Sequence, residues 1–274
     1  MSESSLEEYV AAEVAAARRA GASEENLPFL TVPAGSRAAV LLVHGFSATP
    51  WEVHPLAAAL TPHGLACLAV RLPGHGTTPE DLATRLWEEW LAVVVAGYDR
   101  LSPHFARIYV VGLSTGSLLA LLLADQRPVA GLVLLSPYLR LRHRLAPFAG
   151  WLRHLKPYQT RALGDVAAAH YYTRRPLAGV HQINRLLRRL SGRLAGIEAP
   201  VLALHGGGDD VVDIDSGRVL VERLGSCVKH YRRFGPEAPH VLTAPRNPCQ
   251  QEVLEMVGSF LAGLEAQAVE ASRC

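Results

Sequence analysis

The chain has 274 residues, 49% of them hydrophobic and 19% charged, with a formal net charge of +2. That length suits one α/β domain with a full core, and so apolar a composition, with fewer charges than the usual share of roughly 25%, excludes intrinsic disorder and low-complexity architecture. No run of about 18 uncharged apolar residues occurs, which excludes a transmembrane helix, and the first thirty residues carry Glu3, Glu7 and Glu8 with no apolar run, so a cytoplasmic location is expected.

Ser5-x-x-Glu8 is a capping-box pattern, and Leu6, Tyr9, Val10, Val14 and Ala17 follow at helical spacing until Gly21. Residues 5–20 are therefore expected to form an amphipathic surface helix. Short Val-, Leu- and Ile-rich runs come next, at Ala39–Val43, Ala66–Arg71, Ile108–Val111, Gly131–Leu135, Val201–His205 and Val228–Phe234. They are near-continuous rather than alternating, as in strands buried on both faces. Helical periodicity separates them at Trp51–Leu60, Trp87–Leu101 and Ser117–Gln126. Strand and helix in repetition predict a single α/β domain with a mostly parallel sheet and helices on both sides.

The alternation breaks after Ser136-Pro137. Arg140 to Leu194 shows helix-like pieces interrupted by Pro147, Pro157 and Pro176 and no strand pattern, so it reads as helices inserted over the sheet. Tyr138 to Ala195 also holds twelve Arg and Lys against one acid, Asp165, a net of +11, and leaves the rest of the chain at −9. Cys67, Cys227, Cys249 and Cys274 are far apart, with no C-x-x-C pair and no zinc spacing; they read as reduced thiols, with Cys67 filling the core.

The sharpest local feature is Gly112-Leu113-Ser114-Thr115-Gly116, between the strand Ile108–Val111 and an apolar helix from Ser117. Strand, sharp turn and helix make a nucleophile elbow, in which glycines relieve crowding around a serine held exposed at the sheet edge. A serine needs a base and an orienting carboxylate, expected in the order Ser, Asp, His. Both follow strand patterns: Gly206-Gly207-Gly208-Asp209 after Val201–His205, and His240 in the loop after Phe234, before a helix that starts near Pro248. Asp210, Asp213 and Asp215 compete with Asp209, although Asp213 and Asp215 precede a helix and suit capping. His230 alternates within a strand and suits a sheet position. The oxyanion hole requires the N–H after the nucleophile, on Thr115, and a second from an earlier loop, for which Phe46 in His44-Gly45-Phe46 is placed at the end of a strand. His44 itself reads as a hydrogen-bonded residue that fixes this loop.

His44-Gly45-Phe46, Arg71-Leu72-Pro73-Gly74-His75-Gly76, Gly112-Leu113-Ser114-Thr115-Gly116, His205-Gly206-x-x-Asp209-x-Val211-Val212 and Pro239-His240-Val241-Leu242-Thr243 occur in this order, with Trp87-Glu88-Glu89-Trp90 and Gly97-Tyr98-Asp99 between. Together they resemble the bacterial carboxylesterase and monoacylglycerol lipase group of the α/β-hydrolase superfamily, over roughly residues 38–262. The resemblance implies an eight-stranded, mostly parallel sheet and a small helical cap over about residues 138–195. It carries the family's Ser, Asp and His onto Ser114, Asp209 and His240, and its oxyanion donors onto Phe46 and Thr115. Two positions depart from the pattern, Ser117 where a second glycine is common and Asp213 where proline is usual.

The expected activity is hydrolysis of a small-molecule carboxylic ester through an acyl-enzyme on Ser114, with no metal and no cofactor. An acyl thioesterase of the acyl-CoA type is the alternative, since the basic segment, with Arg140, Arg142 and Arg144 at the entrance, could hold phosphates. A slow-turnover ligand sensor that keeps the same residues is a further reading. A near-neutral overall charge and the lack of a binding motif argue against a nucleic-acid partner, and the oligomeric state is left open.

Overall fold

The computed structural model describes residues 4–160, 162 and 168–271. Its strands are β1 (Phe29–Thr31), β2 (Ala38–Val43), β3 (Leu65–Val70), β4 (Arg107–Leu113), β5 (Gly131–Leu135), β6 (Tyr158–Thr160), β7 (Arg174–Pro176), β8 (Val201–His205) and β9 (Lys229–Arg233). Its longer helices are α1 (Ser4–Arg19), α2 (His54–Leu60), α3 (Pro79–Thr84), α4 (Trp87–Leu101), α5 (Thr115–Ala124), α6 (Ala149–Leu152), α7 (Leu177–Ser191), α8 (Ile214–Glu222) and α9 (Gln250–Ala271). Among the described residues no helix is long and apolar enough to cross a membrane.

Seven strands pair in the order β1-β3-β2-β4-β5-β8-β9, parallel throughout except for β1. Among the described residues the sheet is thus one strand smaller than the eight that the family resemblance implied. β1 escapes a sequence reading because three half-buried residues are too short to show a period. The expectation of no strand between Arg140 and Leu194 is also corrected: β6 and β7 form a small antiparallel pair of their own. The last expected strand lies at the sheet's edge rather than under cover. Four of the five residues of β9 are exposed, so its apolar flanks Val228 and Phe234 misrepresent it.

Burial on both faces follows from strict alternation along the central strands. Ala39, Leu41 and Val43 point to one side with Val110, Leu132 and Leu134, where α4, α5 and α7 pack; Val40 and Leu42 point to the other with Val111 and Val133, under α2 and α9. Cys67 is fully buried on that second side. Helix boundaries carry local signals. The Thr78 side chain accepts from the Asp81 N–H to open α3, and Asp213 accepts from the Ser216 N–H to open α8. In α7, Ile183, Leu186 and Leu190 face the core while Arg188 and Arg189 face water. α1 starts one residue earlier than expected, with Ser5 in its first turn, 3.2 Å from His104 Nε2.

The strand order reverses between β2 and β4: from β2 the chain moves outward to β3, then returns to the opposite flank of β2. A sheet opens a crevice at such a switch point, beyond the carboxyl ends of its strands. Val43 pairs with Gly112 there, so the loops after β2 and β4 leave the sheet at the same level.

The C-terminal helix is tied to the central strand by one carboxylate. Arg107 donates to both oxygens of Glu265, at 2.6 and 2.8 Å, and the Tyr109 hydroxyl donates to Oε1 at 2.6 Å. Burial opposes ionisation of Glu265, but these bonds outweigh it and lower its pKa. Replacing Glu265 with Ala strands a buried phenol and a guanidinium, and should cost about 1–3 kcal/mol. The check is a lower urea midpoint at an unchanged denaturant slope.

Candidate active site

Ser114 follows β4 directly and has φ 55° and ψ −114°, a left-handed-side conformation that costs a side-chain-bearing residue energy. The surrounding glycines are required by contact. A Cβ on Gly112 would lie 2.3 Å from the Gly116 carbonyl oxygen, and one on Gly116 would lie 2.2 Å from that of Val43. The turn can therefore fold back against β2 only with glycine at both positions. The Ser114 N–H donates to the Leu135 carbonyl at 2.7 Å, and the Ser117 hydroxyl, where a second glycine is more usual, donates to Gly112 and Leu135 carbonyls at 2.7 and 3.1 Å.

His240 Nε2 lies 2.9 Å from Ser114 Oγ, and His240 Nδ1 lies 2.6 Å from Asp209 Oδ2. The other carboxylate oxygen of Asp209 accepts the N–H groups of Val211 and Val212, at 2.9 and 3.0 Å. Asp209 thus has both oxygens directed by its own loop, and a donor at Nδ1 leaves His240 Nε2 free to accept from the serine. Burial alone would raise the Asp209 pKa; the close approach of His205, the bond and charge of His240 and the Val212 N–H outweigh it and hold the carboxyl well below the usual range. His205 Nε2 stands 3.2 Å from Oδ2 without hydrogen-bond geometry.

The glycine run before Asp209 has a steric cause. Cβ atoms on Gly206, Gly207 and Gly208 would fall 2.2–2.5 Å from carbonyl oxygens of Pro239, Phe234 and Pro236. The acid loop therefore packs backbone to backbone on the loop that delivers His240. Ser136, at the end of β5, completes the clamp with a 2.7 Å hydrogen bond from its hydroxyl to the His240 carbonyl. Asp210 lines the cavity but is not the partner of His240; Asp213 caps α8, and His230 sits on the edge strand against Phe260.

Thr115 opens α5, where the first N–H groups have no intrahelical acceptor. Across from it, the His44-Gly45-Phe46 loop is held from three sides. His44 Nε2 accepts the Leu72 N–H at 3.1 Å while Nδ1 meets the Gly45 carbonyl at 2.9 Å. Burial, with the neighbouring His75, pushes the His44 pKa well down, in keeping with a neutral, loop-fixing residue. His75 packs edge-on to His44, Phe46 and Trp90, and burial lowers it to about 3. Glu52, a residue the sequence did not single out, accepts the Gly45 N–H at 2.6 Å and the Tyr171 hydroxyl at 2.9 Å, so one buried carboxylate joins the loop to the segment above the sheet.

Gly45, Phe46, Glu52, Ser114, Thr115 and His240 line one end of a cavity of about 460 Å³. Leu145, Leu152, Leu177, Val180, Ile183 and Val241 supply much of its apolar wall, and Gln159, Thr160 and Tyr171 add polar groups. The expectation of an exposed serine is corrected, since Ser114 is only 7% accessible at the bottom of a cavity also lined by Tyr138, Leu145, Leu152, Tyr171, Leu177 and Ile183. Arg140, Arg142 and Arg144 do not line this cavity either. Arg140 pairs with Asp213 at 2.8 Å, and Arg142 donates to the Asp209 carbonyl at 3.0 Å. Among the described residues, Lys156 and Arg175 are the Lys and Arg at the cavity, unmarked by any sequence motif. Among the described residues no His, Cys, Asp and Glu cluster has the makings of a metal site.

Residues 40–253 match the alpha/beta hydrolase family. The thermostable monoacylglycerol lipase of Bacillus sp. (strain H-257) is 31% identical over 199 residues, covering 71% of this chain and 80% of the lipase. The carboxylesterase of Bacillus subtilis (strain 168) is 24% identical over 230 residues, 81% of this chain and 93% of the esterase. A solved structure from work on the metagenome-derived lipolytic enzymes LipS and LipT superposes with a TM-score of 0.78 at 25% identity, covering 87% of this chain and 98% of that one. The chain belongs to the alpha/beta hydrolase family.

The depressed Asp209 pKa has a consequence for stability. An unfolded aspartate titrates near 3.9, so below about pH 5 the unfolded chain takes up protons that the folded carboxylate still refuses, and the unfolding free energy falls with pH. The contribution is present above the unfolded value and lost as pH falls towards the folded one. Asp209→Asn should remove it, leaving a variant less stable at neutral pH and less sensitive to acidification from about pH 6 to about pH 3, as urea midpoints at both values will show.

Proposed function

We propose that this chain is a serine hydrolase that cleaves carboxylic esters, with Ser114 as nucleophile, His240 as general base and acid, and Asp209 as the group that orients His240. The observation that carries the reading is the continuous line from Asp209 through His240 to Ser114, at 2.6 and 2.9 Å, with Ser114 and His240 lining a largely apolar cavity. His240 Nε2 takes the Ser114 proton as Oγ attacks the ester carbonyl carbon. The oxygen of the tetrahedral intermediate sits between the N–H groups of Phe46 and Thr115. Collapse breaks the bond to the alcohol, which leaves with the proton from His240; water, deprotonated by the same imidazole, then attacks the acyl-enzyme and releases the acid.

Residues of about 138–195 act in this reading as a cap inserted into a single domain. The cavity they cover suits an acyl chain along its leucine-rich wall and a polar alcohol near Glu52 and Tyr171, in keeping with monoacylglycerol lipase and carboxylesterase relatives. An acyl-CoA substrate has less support. Arg140, Arg142 and Arg144 line a neighbouring cavity of about 730 Å³ that shares only Leu141, His143 and Ala146 with the first as a wall.

Ser114→Ala should abolish hydrolysis of p-nitrophenyl esters across a series from acetyl to palmitoyl while leaving the circular dichroism spectrum unchanged. A serine-directed phosphonate should label Ser114 alone; a label mapped elsewhere, or wild-type activity in the variant, overturns the assignment. Asp209→Asn should lower kcat by roughly 10²–10⁴ and Asp210→Asn far less; the reverse ranking would transfer the acid's role to Asp210.

Glu52 acts through the Gly45 N–H on the neighbouring Phe46 donor, as a positioning residue. Glu52→Ala should lower kcat by about ten- to a hundredfold with KM little changed. Glu52→Gln, whose amide oxygen still accepts one bond, should recover part of that loss. Equal damage to kcat and KM would mean that Glu52 binds substrate instead.

A further inference from the structure

Among the described residues, the large apolar side chains most exposed to water gather on one short stretch of the segment above the sheet. Leu145, Phe148, Trp151 and Leu155 are 52%, 60%, 66% and 69% exposed. Their spacing of three, three and four residues through the turns around α6 sets them on one side of it. Single exposed apolar side chains are ordinary, but four within so short a stretch form a patch of the kind that meets a partner.

Two further observations indicate which partner. The patch runs into the rim of the substrate cavity, since Leu145, Leu152 and Lys156 belong to the cavity's lining. Its surroundings are basic as well: Tyr138 to Thr160 contains Arg140, Arg142, Arg144, Arg153 and Lys156 and no acidic residue. Arg144 and Arg153 directly flank the apolar side chains. His181, packed on Gly150 behind α6, has its pKa lowered by burial and by Arg153, Arg188 and Arg185, which registers the positive field on this face.

We propose that the Leu145–Leu155 patch docks on an anionic lipid surface, placing the cavity mouth against the layer from which an amphiphilic ester is drawn. The first clause stands on the surface alone; the second rests on the ester-hydrolase reading. Trp and Phe settle at the boundary between headgroups and acyl chains, and Arg and Lys beside them gain from negative headgroups. A second copy fits the patch poorly, because a two-fold contact would set Arg144 and Arg153 against their own copies. An acidic lipid layer satisfies both the apolar side chains and the charges around them.

The test uses full-length Ser114→Ala protein, so that no turnover alters the lipid, with vesicles of phosphatidylcholine alone or containing about a third phosphatidylglycerol, a composition that supplies negative surface potential. Co-sedimentation is expected with the anionic vesicles only, weakening as salt is raised. Tryptophan emission should shift to the blue on binding, and that shift should vanish in a Trp151→Ser background. Adding Phe148→Ser, Trp151→Ser and Leu155→Ser should lower partitioning at least tenfold, and Arg144→Gln with Arg153→Gln roughly fivefold per charge removed.

In the Ser114-containing enzyme these substitutions should leave turnover of a soluble acetyl ester within about twofold, because none of these five residues lines the cavity. Absence of sedimentation, or sedimentation unchanged by the three serines, overturns the proposal. A concentration-dependent dimer abolished by the serines, without vesicle binding, would make a second copy the occupant. Failure of the wild type to cleave soluble esters would overturn the hydrolase reading while leaving vesicle binding to be judged separately.

Discussion

The turn at Ser114 is the constraint around which the crevice is organised. Among the described residues, those other than glycine with left-handed backbones are Ser47, Ser114 and Ser136, at φ 59°, 55° and 51°. All three sit in loops at the carboxyl ends of β2, β4 and β5. Such conformations cost on the order of 1–3 kcal/mol each and persist only where neighbouring structure fixes them. Ser114 is fixed by its N–H bond to Leu135 and by α5, which is buried from Thr115 to Leu123. Ser136 is fixed by its N–H bond to Leu204 and by its hydroxyl on the His240 carbonyl; Ser47 accepts from the Tyr172 N–H and from Arg175. The parallel pairing of β2, β4, β5 and β8 is what sets these points side by side.

The segment over the sheet is held less by its many charges than by a few buried polar contacts. Arg174 pairs with Glu80, Arg185 with Glu88 and Arg193 with Asp125, and all three pairs are at least partly exposed, where an ion pair contributes little. The stretch His170–Tyr172 makes tighter attachments. His170 stacks on Trp51 at 4.0 Å and bonds Asn26, Tyr171 reaches Glu52, and Tyr172 bonds the Gly74 carbonyl and the Thr77 N–H. Each attachment falls on, or next to, the loop that carries Phe46, so the covering segment and the His44-Gly45-Phe46 loop are built as one unit.

Parts of the excess positive charge serve different tasks. Some of it neutralises acids of the body, as Arg140 does for Asp213, and Arg142 braces the backbone of Asp209. Another part, Arg144, Arg153 and Lys156, lies beside exposed apolar side chains at the cavity's mouth. Clustering of Arg in the sequence is a single signal, but it covers these separate roles because neighbouring residues on a turn point in different directions.

Ser114, Asp209 and His240 were legible because their surroundings are local. Glycines two positions either side of the serine, three glycines before the aspartate and a loop after the last strand are each visible along the chain, and each has a short-range steric cause. The five strands β2, β3, β4, β5 and β8 were legible for a similar reason, since burial on both faces leaves continuous apolar runs, whereas β9 was placed by its apolar flanks although its own residues are mostly exposed. β1 and the β6–β7 pair were not, being too short for any period. Glu52, Tyr171, Lys156 and Arg175 meet only when segments far apart in sequence close over the crevice, and no motif marks them. The sequence by itself determined the family, the sheet's central strands and the three residues on the line from Asp209 to Ser114. The depth of the serine, the shape of the cavity and the direction of each arginine were decided by tertiary packing, because contacts between distant segments follow from how surfaces fit rather than from spacing along the chain.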